Sequence, residues 1–315
     1  MDEREIIRLF RNMARAGGSG DSGHIETGPG DDAACVRLPG GALAVLSTDM
    51  VIEGVHFRSD AEPEEIAFKA IGRALSDLAA MAARPVCSLV ATCFPEDVSD
   101  SYKETLCSGL HHHAASMGAP LAGGDTGSGS TELSITVTVV GVEGPGGLVY
   151  RSGAQPGDAI CVTGALGGSL SGRHLTPEPL IQHALELAAC CDVHAMIDIS
   201  DGLSTDLLHI AEESGVGVSI QASAIPVHPD ALEMAEREGG GERGALLHAL
   251  NDGEDYQLLF CLPENQASRL VSTGIRGVDV SIIGNVTESL SRVIIGSEGT
   301  ETELEDTGWR HLRNK

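Results

Sequence analysis

The chain is short of aromatic residues and of positive charge: one Trp, three Tyr and five Phe occur in 315 residues, and 20 Lys and Arg face 46 Asp and Glu. The formal charge of −26 argues against binding nucleic acid or an anionic membrane through charge alone, because the long-range field repels phosphates. Only three lysines are present (69, 103 and 315), and none follows a glycine, which excludes a lysine-bearing P-loop. No apolar run approaches the roughly 18 residues that a membrane-spanning helix needs. The opening, Met1-Asp2-Glu3-Arg4-Glu5, has no signal-peptide character. The eight cysteines (35, 87, 93, 107, 161, 190, 191 and 261) lack the paired spacing of a zinc site, and most sit in apolar runs. Reduced thiols in a soluble, cytoplasmic protein are the expectation. A polyphosphate ligand would have to reach so acidic a chain together with cations.

What is plentiful is glycine, 40 residues, and apolar residues, 42% of the chain. That length and composition can bury a large core and sit where one core usually becomes two, so two α/β domains are expected. Residues 3–15 read as an amphipathic helix and 17–30 as a Gly/Ser-rich loop. Strands at 33–38 and 42–46 flank Pro39-Gly40-Gly41 and form a hairpin. A helix capped by Asp60 runs to about residue 83 and buries a stripe of Ile71, Leu75, Leu78 and Ala82. At about 100° per residue, Asp77 faces away from that stripe with Ala70, Arg73 and Ala80. Further strands are expected at 86–94, 133–142, 158–163, 194–199, 216–221, 256–262 and 279–286, and a last hairpin leads to a polar tail. Helices are expected near 99–117, 178–190, 202–214, 229–238 and 243–250. Pro145-Gly146-Gly147 and Gln155-Pro156-Gly157 put the domain boundary near 145–155.

Acids joined to Gly, Ser or Thr recur, most of them where strands should end: Gly30-Asp31-Asp32, Ser47-Thr48-Asp49, Ser76-Asp77, Gly123-Gly124-Asp125-Thr126, Asp198-Ile199-Ser200-Asp201-Gly202 and Gly253-Glu254-Asp255. Each alone reads as a turn or a cap, but together they are the hard oxygen ligands that Mg²⁺ requires, and Mg²⁺ commonly arrives with a nucleotide. Metal-assisted chemistry on ATP is the expected activity. Ser200 and its neighbours open a helix whose N-terminus favours phosphate oxygens. The turn 163–169, Thr-Gly-Ala-Leu-Gly-Gly-Ser, follows a strand and could form an amide nest for phosphate at the start of a helix. Gly28-Pro29-Gly30 fits a dinucleotide fingerprint superficially, but a strand follows it rather than a helix. Arg151 is a candidate charge partner for nucleotide phosphate, and His56 lies one short loop beyond Asp49. His111-His112-His113 reads as a solvated helix face.

In this order the motifs, with Gly54-Val55-His56-Phe57, Leu75-Ser76-Asp77-Leu78-Ala79-Ala80-Met81, Arg151-Ser152-Gly153 and Gly253-Glu254-Asp255-Tyr256, resemble the thiamine-monophosphate kinases over nearly the whole chain. The resemblance implies the two-domain α/β (α+β) aminoimidazole-ribonucleotide-synthetase-like fold. Residues 1–148 would form a domain that binds ATP and Mg²⁺, its mixed sheet pairing across a homodimer, and 149–315 a C-terminal α+β domain. It implies transfer of the ATP γ-phosphate to thiamine phosphate, giving thiamine diphosphate and ADP. By similarity, Asp32, Ser47, Thr48, Asp49, Asp77, Asp125, Asp198 and Asp201 would hold several Mg²⁺ ions. Gly124, Asp125, Arg151 and Ser200 would contact ATP, while His56, Glu254 and Trp309 would border thiamine phosphate. No acid or base is implied, and Asp49, Asp125 and Asp201 would position the reacting groups through the metals.

The chain departs from the family pattern at Pro177-Glu178-Pro179-Leu180, where an arginine usually stands at 180, and at Asp252, where a glycine is usual. Relatives on the same fold that need a reactive cysteine near either terminus are disfavoured, since the first cysteine is Cys35 and the chain ends Arg313-Asn314-Lys315. Two alternatives stand beside the kinase: a purine-pathway ATP-dependent cyclo-ligase, and a non-catalytic acidic module that binds divalent cations.

Overall fold

A computed structural model describes residues 3–16, 24–296 and 298–309. Half of the loop expected at 17–30, residues 17–23, and the last six residues of the tail lie outside them, and the described half carries a short strand, residues 25–27, that was not expected. The first half contains α1 (Glu3–Ala16), β1 (Ile25–Thr27), β2 (Ala34–Arg37), β3 (Leu43–Ile52), α2 (Pro63–Ala80), β4 (Ala83–Pro95), α3 (Asp100–Ser116), β5 (Leu121–Ser130) and β6 (Ser134–Glu143). The second contains β7 (Asp158–Thr163), α4 (Ile181–Cys190), β8 (Ala195–Asp198), α5 (Leu203–Ser214), β9 (Gly217–Gln221), α6 (Pro229–Glu238), α7 (Gly241–Asn251), β10 (Leu258–Pro263), α8 (Glu264–Thr273), β11 (Val280–Thr287), β12 (Arg292–Ile295) and β13 (Glu301–Glu303).

The strands form two mixed sheets, ordered β1-β2-β3-β6-β4-β5 and β13-β12-β9-β11-β7-β10-β8. Among the described strands only β4 with β5 and β9 with β12 pair in parallel. The order β3-β6-β4 follows from alternation: Ile135, Val137 and Val139 of β6 are buried while the residues between them are not, so β6 lies centrally with one face inward.

Helix α2 is the hinge of the architecture. One continuous core joins its Ile66, Ile71, Leu75 and Leu78 to Val45 and Val139 of the first sheet and to Cys161, Met196 and Phe260 of the second. A helix packed between two sheets is buried nearly all round, which is why Ala70 and Ala80 are as buried as the expected stripe. The face carrying Asp77 therefore looks into a cleft, not into solvent. At mid-helix, a Cβ on Gly72 would lie 2.3 Å from the Pro177 carbonyl oxygen, so glycine there admits the 177–180 segment. Leu180, which departs from the family pattern, is buried in this shared core. A second core lies on the other side of the second sheet, where α5 and α7 cover Ile160, Val162, Ile197 and Leu259.

Several expectations are corrected. Glu62, not Asp60, is the N-cap of α2, with Pro63 in the first turn and the Glu65 carboxylate accepting from the Glu62 amide; Asp60 pairs with Arg58 instead. The segment after Gly168 does not open an α-helix but two 3-10 turns, Ser169–Ser171 and Arg173–Leu175. Strand β5 and helix α8 were not expected. His113 does not join a solvated face, since its ring is half-buried against Phe68 with centroids 4.7 Å apart. Among the described residues no helix is long and apolar enough to cross a membrane.

Candidate active site

Asp49, Asp77 and Asp198 converge because each lies on α2 or on a strand that packs against it. On β3 the two-residue period points Ser47 and Asp49 toward α2 and turns Thr48 to the other face, where its hydroxyl lies 3.0 Å from that of Thr138. Asp32 follows the Gly30-Asp31 turn, in which Asp31 Oδ1 accepts from the Asp32 amide at 3.0 Å and from the Arg151 amide at 3.2 Å. Asp198 ends β8, which packs against α2. Among the described residues, carboxylate oxygens of Asp32, Asp77 and Asp198 all lie within 4.8 Å of one another. The Ser47 hydroxyl donates to Asp77, and the Ser76 hydroxyl to Asp198 at 2.6 Å. Arg151 grips Asp32 with two bonds, Nη2 to Oδ1 at 2.7 Å and Nε to Oδ2 at 3.0 Å.

One guanidinium does not balance this charge. Burial, and then the charge of Asp198, hold the Asp77 carboxyl well above the usual range. Asp198 is pushed up to about 7 by burial and by Asp32, and Asp31 to about 6 by burial and by Asp32. Buried oxygen donors that raise one another's proton affinity are a donor set that a hard divalent cation would relieve. Asp201, Asp206 and His209 also bring ligand atoms within 4.8 Å. There, however, Asp206 Oδ2 already accepts from the amides of Ser200, Asp201 and Gly202, each at 3.1 Å.

Beside the cluster lies a cavity whose wall includes His56, Ser200, Asp201, Glu254, Tyr256 and Trp309. His56 Nδ1 accepts from the Ile52 amide at 3.0 Å, which leaves the ring proton of the neutral form on Nε2. Trp309 is brought here by a docked tail: Thr205 Oγ1 donates to Asp306 at 2.8 Å, Thr307 Oγ1 to Asn251 at 2.7 Å, and the Trp309 amide to the Asp201 carbonyl at 2.9 Å. Glu254 sits on a loop whose amides at 254 and 256 donate to the carbonyls of Ser200 and Ile199, both at 2.8 Å. The backbone there is unusual, with Glu254 and Tyr256 both at φ +51°. Gly253 is required at its own φ of +70°, where a Cβ would meet the Ser200 carbonyl oxygen at 2.5 Å.

Asp125 lies apart from the acidic cluster, exposed on edge strand β5, where it accepts from the Thr126 amide at 2.9 Å. Gly124 has a packing reason of its own, since a Cβ would fall 1.9 Å from the Val90 carbonyl oxygen on β4. The glycine turn at 164–168 is not an open nest: Gly167 N donates to Asp255 at 2.8 Å and Gly168 N to Asp252 at 2.9 Å. Asp252 also binds His248 Nδ1 at 3.0 Å, which gives this departure from the family pattern two local partners.

Reading the sequence missed Lys69 and Arg73, which precede Asp77 by eight and four positions on one stripe of α2. Lys69 is buried against Glu254, and Arg73 bonds Asp49 and approaches Glu254 to 3.6 Å. The available signal was Lys69 itself, one of three lysines and set in an apolar helix.

Comparison with known proteins agrees with this arrangement. Residues 30–142 match the AIR synthase related protein, N-terminal domain, and residues 155–296 its C-terminal domain. The thiamine-monophosphate kinase of Rhodopirellula baltica is 39% identical, with 83% of this chain and 84% of that one covered. The solved structure of AaThiL complexed with AMPPCP and TMP superposes with a TM-score of 0.82 at 29% identity, covering 99% of this chain and 97% of that one. The crystal structure of thiamine monophosphate kinase from Aquifex aeolicus gives a TM-score of 0.78 at 28% identity, covering 96% and 100%.

Proposed function

This chain belongs to the thiamine-monophosphate kinase family of AIR synthase related proteins, and from that premise we propose that it transfers the γ-phosphate of ATP directly to thiamine phosphate, giving thiamine diphosphate and ADP. The observation that carries the reading is the meeting of Asp32, Asp77 and Asp198 beside a cavity walled by His56, Glu254 and Trp309. One part has the charge to receive polyphosphate through cations, and the other is shaped for a compact organic acceptor.

The acceptor is itself a phosphate, largely ionised near neutral pH, so it attacks without a strong general base. What remains is to align donor and acceptor and to offset charge on the transferring group. Asp32, Ser47, Asp49, Asp77 and Asp198 would hold Mg²⁺ near the cluster, with Asp125 and Asp201 as further ligands, whereas the Thr48 side chain, expected among them, faces away on the other side of β3. Bound there, Mg²⁺ supplies positive charge to the phosphate oxygens, a contribution of roughly 4 kcal/mol per unit charge pair at about 4 Å and an effective dielectric near 20. Gly124, Asp125, Arg151 and Ser200 would receive ATP, and His56, Glu254 and Trp309 the acceptor. The indole of Trp309 offers a π face to the pyrimidine or the cationic thiazolium.

We further propose a homodimer that forms through the face of the first sheet turned away from α2. Its support is that Met50, Val86 and Leu89 are exposed there. The division into domains at 148/149 and a cytoplasmic location, with all eight cysteines free, belong to the same reading.

Purified protein incubated with ATP, Mg²⁺ and thiamine phosphate is expected to form ADP and thiamine diphosphate in equal amounts. Absence of product together with turnover of formylglycinamidine ribonucleotide would favour the cyclo-ligase. Tight uptake of divalent ions with ATP left intact would favour a binding module.

A further inference from the structure

Among the described residues, the cavity beside the acidic cluster has one Lys or Arg side chain on its wall. Of the charged groups lining it, Asp201, Asp252 and Glu254 are acids and Arg73 is the base. Arg73 stands between the two parts of the site. Its Nε bonds Asp49, which shares a face of β3 with Ser47, and its Nη1 lies 3.6 Å from Glu254, which belongs to the cavity. Its side chain is 18% exposed, so it is held yet reachable.

The backbone amides that might receive an anion here are engaged by the protein's own acids. The amides of Ser200, Asp201 and Gly202 point to Asp206, and those of Gly167 and Gly168 to Asp255 and Asp252. Arg151 does not line this cavity, lying with Asp32 on the side given to the nucleotide, and the buried Lys69 is held by Glu254. A guanidinium carries five N–H donors, more than its two carboxylate neighbours consume. A second, independent observation comes from Tyr256. Its side chain lines the same cavity, and its buried hydroxyl has no hydrogen-bond partner among the described residues. Burial holds the phenol well above its ordinary pKa, so it remains a neutral donor. A buried donor left unpaired calls for an acceptor.

We propose that Arg73, assisted by the Tyr256 hydroxyl, anchors the phosphate of the acceptor and turns it toward the cluster of Asp32, Asp77 and Asp198. The inference rests on the kinase reading above. Asp49 and Glu254 hold the guanidinium in place before the ligand arrives, which reduces the ordering that binding requires. The planar fork engages two phosphate oxygens at once. The same contact selects a phosphate ester over the free alcohol, because an unphosphorylated acceptor offers Arg73 nothing to bind.

The test compares the wild type with Arg73→Gln, Arg73→Lys and Tyr256→Phe. Steady-state kinetics vary each substrate in turn, and calorimetry measures binding of thiamine phosphate and of unphosphorylated thiamine. Arg73→Gln is expected to raise KM for thiamine phosphate by about tenfold or more, the size of a lost charged hydrogen bond, with KM for ATP unchanged within about twofold. It should weaken thiamine phosphate binding by the same factor and leave thiamine binding unaltered. Arg73→Lys should restore part of the loss, and Tyr256→Phe should cost about threefold to fivefold. An unchanged KM for thiamine phosphate in Arg73→Gln, or equal losses for thiamine and thiamine phosphate, would overturn the proposal. Should circular dichroism show that Arg73→Gln does not fold, Tyr256→Phe removes a single oxygen and decides by the same comparison. Failure of the wild type to form thiamine diphosphate would overturn the kinase reading instead, and it is read without any variant.

Discussion

Lys69 Nζ lies 2.7 Å from Glu254 Oε2 and joins residues 185 positions apart. Lys69 is fully buried, and burial, opposed by the Glu254 charge, lowers its pKa below the ordinary lysine value. The pair fastens the loop at 252–257 to α2 and so fixes where Glu254 meets the cavity. Replacing Lys69 with Met keeps the volume but leaves Glu254 with Arg73 alone. The expected loss is about 3 kcal/mol in urea unfolding, with a rise in KM for thiamine phosphate. An unchanged midpoint and KM would mean that the pair is dispensable.

Asp125 is exposed on β5 and contributes nothing to either core. Asp125→Asn is therefore expected to keep stability within about 0.5 kcal/mol while lowering turnover by roughly 10²-fold or more. Unaltered turnover in this variant would remove Asp125 from the site.

Asp255 supplies a pH dependence. Burial pushes its carboxyl up to about 6 from the ordinary 3.8, against the Gly167 amide and Arg173, which favour the ionised form. A folded state that binds the proton more tightly than the unfolded chain is stabilised at low pH. That contribution is complete below about pH 4 and is lost as pH rises toward 6, amounting to about 3 kcal/mol over two pH units. Unfolding midpoints of Asp255→Asn measured from pH 4 to 7 should lack this part of the slope; parallel curves for variant and wild type would refute the assignment.

Gly124→Ala tests the contact between β4 and β5. With the Val90 carbonyl oxygen 1.9 Å from the new methyl, the parallel pairing must open. We expect a loss of about 2–4 kcal/mol, with hydrogen exchange accelerated across 121–130. Wild-type protection there would show that the strand can shift without cost.

The acids of the site were legible because each is joined to Gly, Ser or Thr beside an apolar run, and Asp32, Asp77 and Asp198 do gather, although Asp77 stands in α2 and Asp49 and Asp125 inside strands β3 and β5 rather than at strand ends. Arg73 and Tyr256 were not. A helical period separates one buried stripe from an opposite face, and only the second sheet, packed on the far side of α2, turns that opposite face into a cleft. The turn at 164–168 looked like an open nest because the acids that close it stand more than 80 residues away. Strand β5, Leu-Ala-Gly-Gly-Asp-Thr-Gly-Ser-Gly-Ser, has no apolar alternation and is held by backbone pairing to β4. Helix α8 buries only Ala267 and Leu270, too little for a period to be visible. Leu180 was legible as a departure, and its burial in the core accounts for an apolar residue there.

At Glu254 and Tyr256 the left-handed backbone suits glycine or asparagine better than the side chains present. Each position gives up on the order of 1 kcal/mol of conformational preference. The surroundings override that preference, because glycine at 254 would leave the buried Lys69 without its partner and glycine at 256 would empty the space of a buried ring. The same side chains thus serve durability and the shape of the cavity together, and the loop keeps its awkward backbone for both reasons.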